Sequence, residues 1–454
     1  MGMFVHILSS RLHNMSNFKA GYARLDITPP LGVNISGYYE QRIADGILDN
    51  LYASAVAVSD GSNTAVVISA DVIGIPQNKM NVYRKSIAER NSIPFEAVFI
   101  ACTHTHTGPV IGNDLFPEDP NYNDYLQRRL SDVTTLAIED LKPASVSVGR
   151  SAAPGISFIR RFRMKDGKIQ TNPGVGNQNI LEPIGIPDET VQLARLHRDN
   201  AKEILLVNFQ VHPDVIGGNK FSADYPQFVR ETLENALDNV HCIYFNGAQG
   251  DTNHINVFTT PDKANGGYEH SKHMGRCIAG AVLQIYTKTT PVSSDQIRFG
   301  QQTIEVPSNR VDKSLIPDAE KIIALHEAGR DTDIPFKGME LTTVVAEAYR
   351  MKRLENGPDA FDLHLTAISF GNVTIAGIPG EPFTDIGRGI KNGSPFEMTF
   401  VCCCANGYEG YYPMQSAYDE GGYEARSSKF KPGVAEAIIA GSIGLLKKLK
   451  KCIN

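Results

Sequence analysis

Short strand-like runs alternate with helix-like runs along this 454-residue chain, and this alternation constrains the fold more than any other feature. The strand-like runs are 51–58, 64–68, 97–103, 145–148, 204–211, 242–245, 365–369, 373–378 and 398–404. The helical patterns are 81–90, 125–141, 225–237 and 270–287. Such alternation predicts an α/β fold. Short links at Asp60-Gly61 and Gly371-Asn372 indicate antiparallel hairpins, so we expect mixed β-sheets at the centre, flanked by helices.

We expect one domain over residues 18–454, preceded by a flexible extension over residues 1–17. Residues 309–355 are charged, helix-prone and poor in strand-like runs, which predicts a helical insertion. Pro432 opens an apolar run that ends in lysines, a pattern typical of a terminal helix with proline in its first turn.

The net charge of -6 gives no basis for binding nucleic acid. No window reaches the roughly 18 apolar residues of a membrane span, so no stable membrane insertion is expected. The first residues contain neither a basic segment nor a small-residue cleavage site, so they are not a secretory signal. Seven cysteines without a CxxC pair favour a reducing, cytoplasmic location.

A His-Thr-His motif follows the apolar run at 97–103 and precedes a Gly-Pro turn. Residues two apart in a strand share a face, so His104 and His106 are predicted to project together from the end of the sheet. Strand ends are where α/β proteins place ligands, and imidazole suits zinc. The alternative is a pair of histidines that only caps the strand.

Two further apolar runs end in residues able to bind a metal. His212 ends the run at 204–211 and is followed by proline, which repeats the pattern of the first motif. Glu381 follows the run at 373–378 after a Pro-Gly turn. Taken singly, His212 reads as an ordinary core or surface histidine, and Glu381 as a helix-start carboxylate. Their similar positions favour a shared site.

Three more segments carry polar groups suited to a ligand. The stretch from 406 to 425 is rich in glycine and tyrosine and includes Tyr411 and Tyr423, although a surface loop would have the same composition. Arg160 lies in an Arg- and Phe-rich run suited to an anionic or carbonyl group, or to a solvated basic face. Asp251 lies in a small-residue turn after the strand-like run at 242–245.

In their order along the chain, these segments resemble the catalytic domain of the neutral/alkaline, non-lysosomal ceramidase family. The resemblance extends from Phe18 to about Ser428. Its markers are DITPP at 26–30, HTHTGP at 104–109, NFQVHP at 208–213, the Gly-Asp turn at 250–251, PGE at 379–381 and the NGYEGYY…GGYEA stretch at 406–425. It implies a ceramidase-like αββα catalytic domain, here without the family's C-terminal immunoglobulin-like domain.

The resemblance implies one zinc ion and a role for each motif residue. The ligands would be His104, His212, Glu381 and Tyr411, with His106 beside the metal as proton shuttle or substrate contact. Catalytic roles near the scissile amide would fall to Arg160 and Tyr423, and Asp251 would belong to the catalytic set through its Gly-Asp turn. Asn253 stands where ceramidases have a serine, so the implied mechanism relies on a metal-activated water.

The expected function is therefore a zinc-dependent hydrolase of lipid metabolism that cleaves an N-acyl amide. Two alternatives stay open. Zinc hydrolysis on the same fold also suits an ester or a lactone, so the partner is a small-molecule amide or ester. Four protein ligands would also close a tetrahedral structural site, which leaves a non-catalytic, zinc-containing binding protein.

Overall fold

A computed structural model describes residues 17–112, 115–260 and 266–451. The predicted extension at 1–17 lies outside these residues except for Asn17. The strands are β1 Lys19–Asp26, β2 Asn34–Ile35, β3 Arg42–Ile43, β4 Gly46–Ile47, β5 Tyr52–Ser59, β6 Thr64–Ala70, β7 Val98–Cys102, β8 Lys142–Ala152, β9 Phe158–Ile159, β10 Arg161–Met164, β11 Ile169–Thr171, β12 Ile180–Pro183, β13 Thr190–Arg198, β14 Glu203–Phe209, β15 Lys220–Phe221, β16 Val240–Asn246, β17 Thr252–Asn253, β18 Thr290–Val292, β19 Ile297–Pro307, β20 Ala360–Phe370, β21 Val373–Gly377, β22 Glu381–Pro382, β23 Met398–Cys402 and β24 Tyr411–Tyr412.

The helices cover all four helical patterns read from the sequence. They are α1 Gln77–Asn91, α2 Pro120–Glu139, α3 Tyr225–Ala236, α4 Tyr268–Ile285, α5 Ile316–Glu327, α6 Met339–Leu354, α7 Thr384–Gly393, α8 Gln415–Glu420, α9 Tyr423–Ser427 and α10 Val434–Lys451. Within residues 309–355 the structure has α5 and α6, which pack against each other. No helix in the three described stretches is long and apolar enough to cross a membrane.

Two mixed sheets form the centre of the molecule. The larger has the order β16-β14-β13-β8-β1-β5-β6-β7, with β18 added beside β8. Its β6–β7 and β14–β16 pairs are parallel, and β5–β6 is the antiparallel hairpin predicted at Asp60-Gly61. The smaller sheet has the order β19-β20-β21-β23, with the predicted hairpin between β20 and β21. Gly371 turns that hairpin at a φ of 57°, in the left-handed region.

The sheets pack face to face and helices cover their outer faces. One apolar core joins Val56, Val67 and Phe99 of the larger sheet to Ile368 and Phe400 of the smaller. Helices α1 and α2 cover one part of the larger sheet, α3 and α4 cover another part, and α7 and α10 cover the smaller sheet. The predicted α/β class, with mixed sheets flanked by helices, is therefore confirmed.

Two predicted strands end earlier than the sequence suggests. The run at 97–103 forms a strand only to Cys102, and the run at 398–404 only to Cys402. In each case the chain turns out of the sheet through a left-handed residue, His104 with a φ of 73° and Cys404 with a φ of 47°. Apolar composition continues through the buried turn after Cys402, so it does not mark the end of that strand.

Candidate metal centre

Curling of the larger sheet brings together two strand ends that are far apart in strand order. Ser69 on β6 donates to the Tyr244 carbonyl on β16 at 2.6 Å. Beyond the strands, the Asn246 amide donates to the Thr103 carbonyl at 3.2 Å. The segments after β7 and β14 therefore approach each other at one edge of the fold, and His104, His106 and His212 lie there.

The three histidines form a buried cluster. Their ligand nitrogens all lie within 4.8 Å of one another, and each side chain is nearly inaccessible to solvent. Nε2 of His212 is 3.1 Å from Nε2 of His106. The prediction that His104 and His106 meet holds, but not for the expected reason. Because β7 ends at Cys102, a turn at His104 rather than strand alternation places the two rings 5.2 Å apart.

The hydrogen bonds of His104 fix which ring nitrogen carries the proton. Its Nδ1 is 2.6 Å from the Ile73 carbonyl oxygen, which can only accept. Nδ1 therefore holds the proton, and in the neutral ring Nε2 presents a lone pair to the centre of the cluster. A backbone carbonyl of this kind is the usual support for a metal-binding histidine.

The imidazoles of His106 and His212 are held in the neutral form that metal ligands require. Burial lowers the pKa of His106 well below its usual value, and nearby His104 lowers it further. Burial, followed by the positive charge of Arg160, lowers the pKa of His212 in the same way. Both rings are therefore uncharged near neutral pH.

A carboxylate completes the cluster. Pairing of β22 with β24 sets Glu381 beside Tyr411, and Oε2 of Glu381 lies 3.2 Å from Nε2 of His104 and 3.6 Å from Nε2 of His212. Its other oxygen accepts a hydrogen bond from Tyr408 at 2.6 Å. Burial alone would raise the pKa of Glu381, but His104, Tyr408 and Arg160 together lower it to about 2, so it is a carboxylate.

These donor atoms fit a divalent metal ion. Nε2 of His104 and Oε2 of Glu381 face each other across 3.2 Å, and Nε2 of His212 lies 3.6 Å from the same oxygen. A cation among these buried atoms would offset the cost of burying the carboxylate charge. Neutral imidazole nitrogens with one carboxylate oxygen are the donor set that zinc takes in hydrolases.

Tyr411, Arg160 and Tyr423 lie together beside the cluster. The Tyr423 ring is 5.5 Å from the Tyr411 ring, and the guanidinium carbon of Arg160 is 5.3 Å from the Tyr411 ring centre. Arg160 donates from Nε to Glu424 at 2.7 Å and from Nη2 to the Gly250 carbonyl at 2.8 Å. Arg160 is thus a buried charge held in one orientation, and the role of Tyr411 as a ligand stays a prediction.

The Asp251 carboxylate is engaged with the start of α7. Its Oδ1 accepts from both the backbone nitrogen and the hydroxyl of Thr384, each at 2.7 Å. Thr384 follows Glu381 by three residues, so these bonds fix the turn that carries the carboxylate facing His104 and His212. Asn253 donates to Asn172 at 2.6 Å and pairs with Phe158 across the β9–β17 ribbon. A catalytic role for Asp251 stays a prediction.

Sequence reasoning did not single out three side chains that contact this centre. Tyr408 holds Glu381, although it looks like every other tyrosine of the 406–425 stretch. Asp214 lies 3.6 Å from Nδ1 of His106 and accepts from the Tyr38 hydroxyl. The only available signal for Asp214 was its place two residues after His212. Tyr38 lies in a loop more than sixty residues before His106 and gave no signal.

Comparisons with known proteins bear on the fold. No protein-family model matches the sequence, and no curated protein matches it. The structure is similar to that of neutral ceramidase from Pseudomonas aeruginosa, with a TM-score of 0.71 and 15% identity over 95% of this chain and 75% of that chain. It is also similar to a ceramidase complexed with C2, with a TM-score of 0.71 and 14% identity over 95% of this chain and 76% of the other. The chain therefore has a ceramidase-like fold.

Proposed function

We propose that the protein is a zinc-dependent hydrolase that cleaves a small N-acyl amide through a metal-activated water. The observation that carries the proposal is the buried group of three histidines, two of which face the Glu381 carboxylate. The structural similarity to two ceramidases supports hydrolysis of an amide. When bound, zinc supplies a Lewis acid that acidifies a water to a pKa of about 7 and polarises a carbonyl.

In this proposal His104, His212, Glu381 and Tyr411 hold the metal. His104 and His212 offer their Nε2 atoms, and Glu381 offers the Oε2 atom that faces them. His106 reaches the same centre through Nε2 and is proposed to accept the proton of the attacking water. The Asp214 carboxylate, 3.6 Å from Nδ1 of His106, would then balance the charge of the imidazolium.

The neighbouring phenols are suited to donate hydrogen bonds to an oxyanion. Burial raises the pKa of Tyr423 well above its usual value, so its hydroxyl keeps its proton at neutral pH. Arg160 stays charged, because Tyr411 and Glu424 outweigh the effect of burial and raise its pKa. A fixed cation beside a protonated phenol stabilises negative charge that develops on a carbonyl oxygen.

Metal analysis and a substrate panel test the proposal. The purified protein is expected to hold about one zinc per chain, and His104→Ala is expected to lose it. His364→Ala serves as the control and should keep the metal. His364 is hydrogen-bonded to Thr303 of the neighbouring strand. Amides, esters and lactones are then assayed with and without a chelator. Chelator-sensitive cleavage of amides supports the proposal. Cleavage of esters or lactones alone would instead indicate an esterase or lactonase on the same fold. Zinc retained without any turnover would instead indicate a binding protein.

A further inference from the structure

Glu424 on α9 is a buried carboxylate whose two oxygens are both engaged. Its Oε1 accepts from Nε of Arg160 at 2.7 Å, and its Oε2 accepts from the Thr171 hydroxyl at 2.9 Å. Nε of Arg161 lies 3.8 Å from the same Oε2. The Glu424 side chain is fully inaccessible to solvent, and a buried charge is costly unless it is paired and hydrogen-bonded. The carboxylate is therefore committed to these partners and does not serve as a substrate contact.

Arg160 is held in turn at its backbone and at its guanidinium. Its backbone nitrogen donates to the Asp251 carbonyl at 3.0 Å, and its carbonyl accepts from Asn172 at 2.8 Å. In the side chain, Nε donates to Glu424 and Nη2 donates to the Gly250 carbonyl at 2.8 Å. Two bonds to a planar guanidinium fix its plane, and neither of them uses Nη1. Of the two side-chain partners only Glu424 carries a charge, so it makes the stronger bond.

The helix that carries Glu424 also carries Tyr423, and it is anchored on its other side. The Thr171 hydroxyl that donates to Glu424 also accepts from the backbone nitrogen of Tyr423 at 3.3 Å. Arg426, two residues after Glu424, pairs with two glutamates of α6 at 2.7 Å and 2.6 Å. One short helix therefore positions Tyr423 directly and Arg160 through Glu424.

We infer that Glu424 is a positioning residue that fixes the guanidinium of Arg160 for the substrate, and that α9 sets Arg160 and Tyr423 in one geometry. A fixed donor stabilises a developing oxyanion better than a mobile one, because it needs no reorganisation during the reaction. Since Nε and Nη2 are engaged, Nη1 is the nitrogen assigned to the carbonyl oxygen of the substrate. The inference rests on the proposed function only for the catalytic role of Arg160.

The first test reads the hydrogen bond of Arg160 without requiring turnover. In protein containing isotope-labelled arginine, the Nε–H NMR signal of Arg160 is identified by its loss in Arg160→Lys. A proton bonded to a carboxylate resonates downfield of one bonded to a neutral amide, so Glu424→Gln is expected to move that signal upfield. Glu420→Gln is the matched control, because Glu420 accepts from Nη2 of the neighbouring Arg161 at 3.1 Å. This control should leave the Arg160 signal in place.

An unchanged Arg160 signal in Glu424→Gln, or an equal change in Glu420→Gln, would overturn the inference. If Glu424→Gln fails to fold, Thr171→Val decides the question. That variant removes only the hydroxyl that holds Oε2, so the carboxylate stays but loses one restraint. The Arg160 signal is then expected to move or broaden, and a signal identical to that of the natural protein contradicts the inference.

The second test separates positioning from a general structural role. A neutral partner makes a weaker hydrogen bond than a charged one, which predicts a fall in kcat of about 5- to 10-fold for Glu424→Gln. KM should change by less than about threefold, and zinc content should not change. In the Arg160→Met background, Glu424→Gln should cause little further loss of kcat, and fully additive losses contradict the coupling. If the NMR change occurs but the natural protein cleaves nothing in the panel, the proposed function fails while the positioning role stands.

Discussion

Tyr408→Phe is expected to weaken zinc binding, because the Tyr408 hydroxyl orients the carboxylate proposed as a ligand. The hydroxyl donates to Oε1 of Glu381 at 2.6 Å, a length typical of a charge-assisted bond. Glu381 is only 1% exposed, so no bulk water replaces the lost donor. Without the Tyr408 hydroxyl, Oε1 loses the bond that fixes it. The carboxylate is then free to rotate, and Oε2 can turn away from His104 and His212.

The size of the effect follows from that single bond. A hydrogen bond to a charged group contributes about 1.5–3 kcal/mol, and about 1.4 kcal/mol corresponds to a tenfold change in affinity. Residues that support a metal ligand without touching the metal typically change affinity by about 10- to 100-fold. Both routes predict a zinc dissociation constant raised by roughly 10- to 100-fold in Tyr408→Phe.

Competition between the protein and a chromogenic zinc chelator measures this constant directly. Tyr122→Phe is the matched control. Tyr122 lies on α2, outside the metal centre, and its hydroxyl donates to the Ile27 carbonyl at 2.7 Å. Thermal unfolding of both variants shows whether either has lost its fold. If Tyr408→Phe binds zinc as tightly as the natural protein, or if Tyr122→Phe weakens binding equally, then Tyr408 does not orient the ligand.

Three further predictions concern the framework. Arg230→Met leaves the Asp71 carboxylate buried without its partner at 2.7 Å, so urea unfolding should show a loss of about 3–5 kcal/mol; a loss below 1 kcal/mol would contradict this. Burial lowers the pKa of His241 from 6.5 to about 4. As the pH falls from 6.5 to about 4, the unfolded state binds a proton that the folded state does not, so the free energy of unfolding declines. Its half-buried position limits that loss to about 1 kcal/mol, and His241→Phe, which preserves the stack on Tyr22, should flatten the pH profile. Asp251→Asn should lower the free energy of unfolding by about 1 kcal/mol, because it weakens the bonds to Thr384 at the start of α7, and zinc should be retained. Loss of zinc would place Asp251 nearer the metal than its bonds to Thr384 indicate.

The sequence predicts the fold well because hydrophobic periodicity and turn residues act locally. The hairpins at Asp60-Gly61 and Gly371-Asn372 are both present, since a glycine in the left-handed region allows each tight turn. The strand ends at Cys102 and Cys402 were harder to predict. Burial of the turn after Cys402 is a tertiary effect, and the apolar residues of that turn conceal the polar boundary on which sequence patterns depend.

Only some of the site residues could be predicted from the sequence. The residues that could be predicted follow strand ends, and the others are placed by the path of a loop. His104, His212 and Glu381 lie two, three and four residues after the ends of buried strands, so the strand ends mark them. Tyr408 lies in the loop that leads to Tyr411 of β24, and only the path of that loop decides which tyrosine bonds to Glu381. Gly410 between them has a φ of 85°, a conformation that sequence composition permits but does not require.

The backbone around His104 indicates that contacts within the protein hold the geometry of the proposed metal centre. A left-handed conformation costs a non-glycine residue roughly 1–2 kcal/mol, so contacts with the protein must offset it. His104 has such contacts: its backbone nitrogen donates to the Val72 carbonyl at 3.0 Å, its Nδ1 bonds to Ile73 at 2.6 Å, and the Cys404 sulfur lies 3.4 Å from the ring. None of these contacts involves the metal. Removal of zinc should therefore abolish hydrolysis while leaving the imidazole in place and the fold intact, unlike a structural zinc site, whose domain unfolds without its ion.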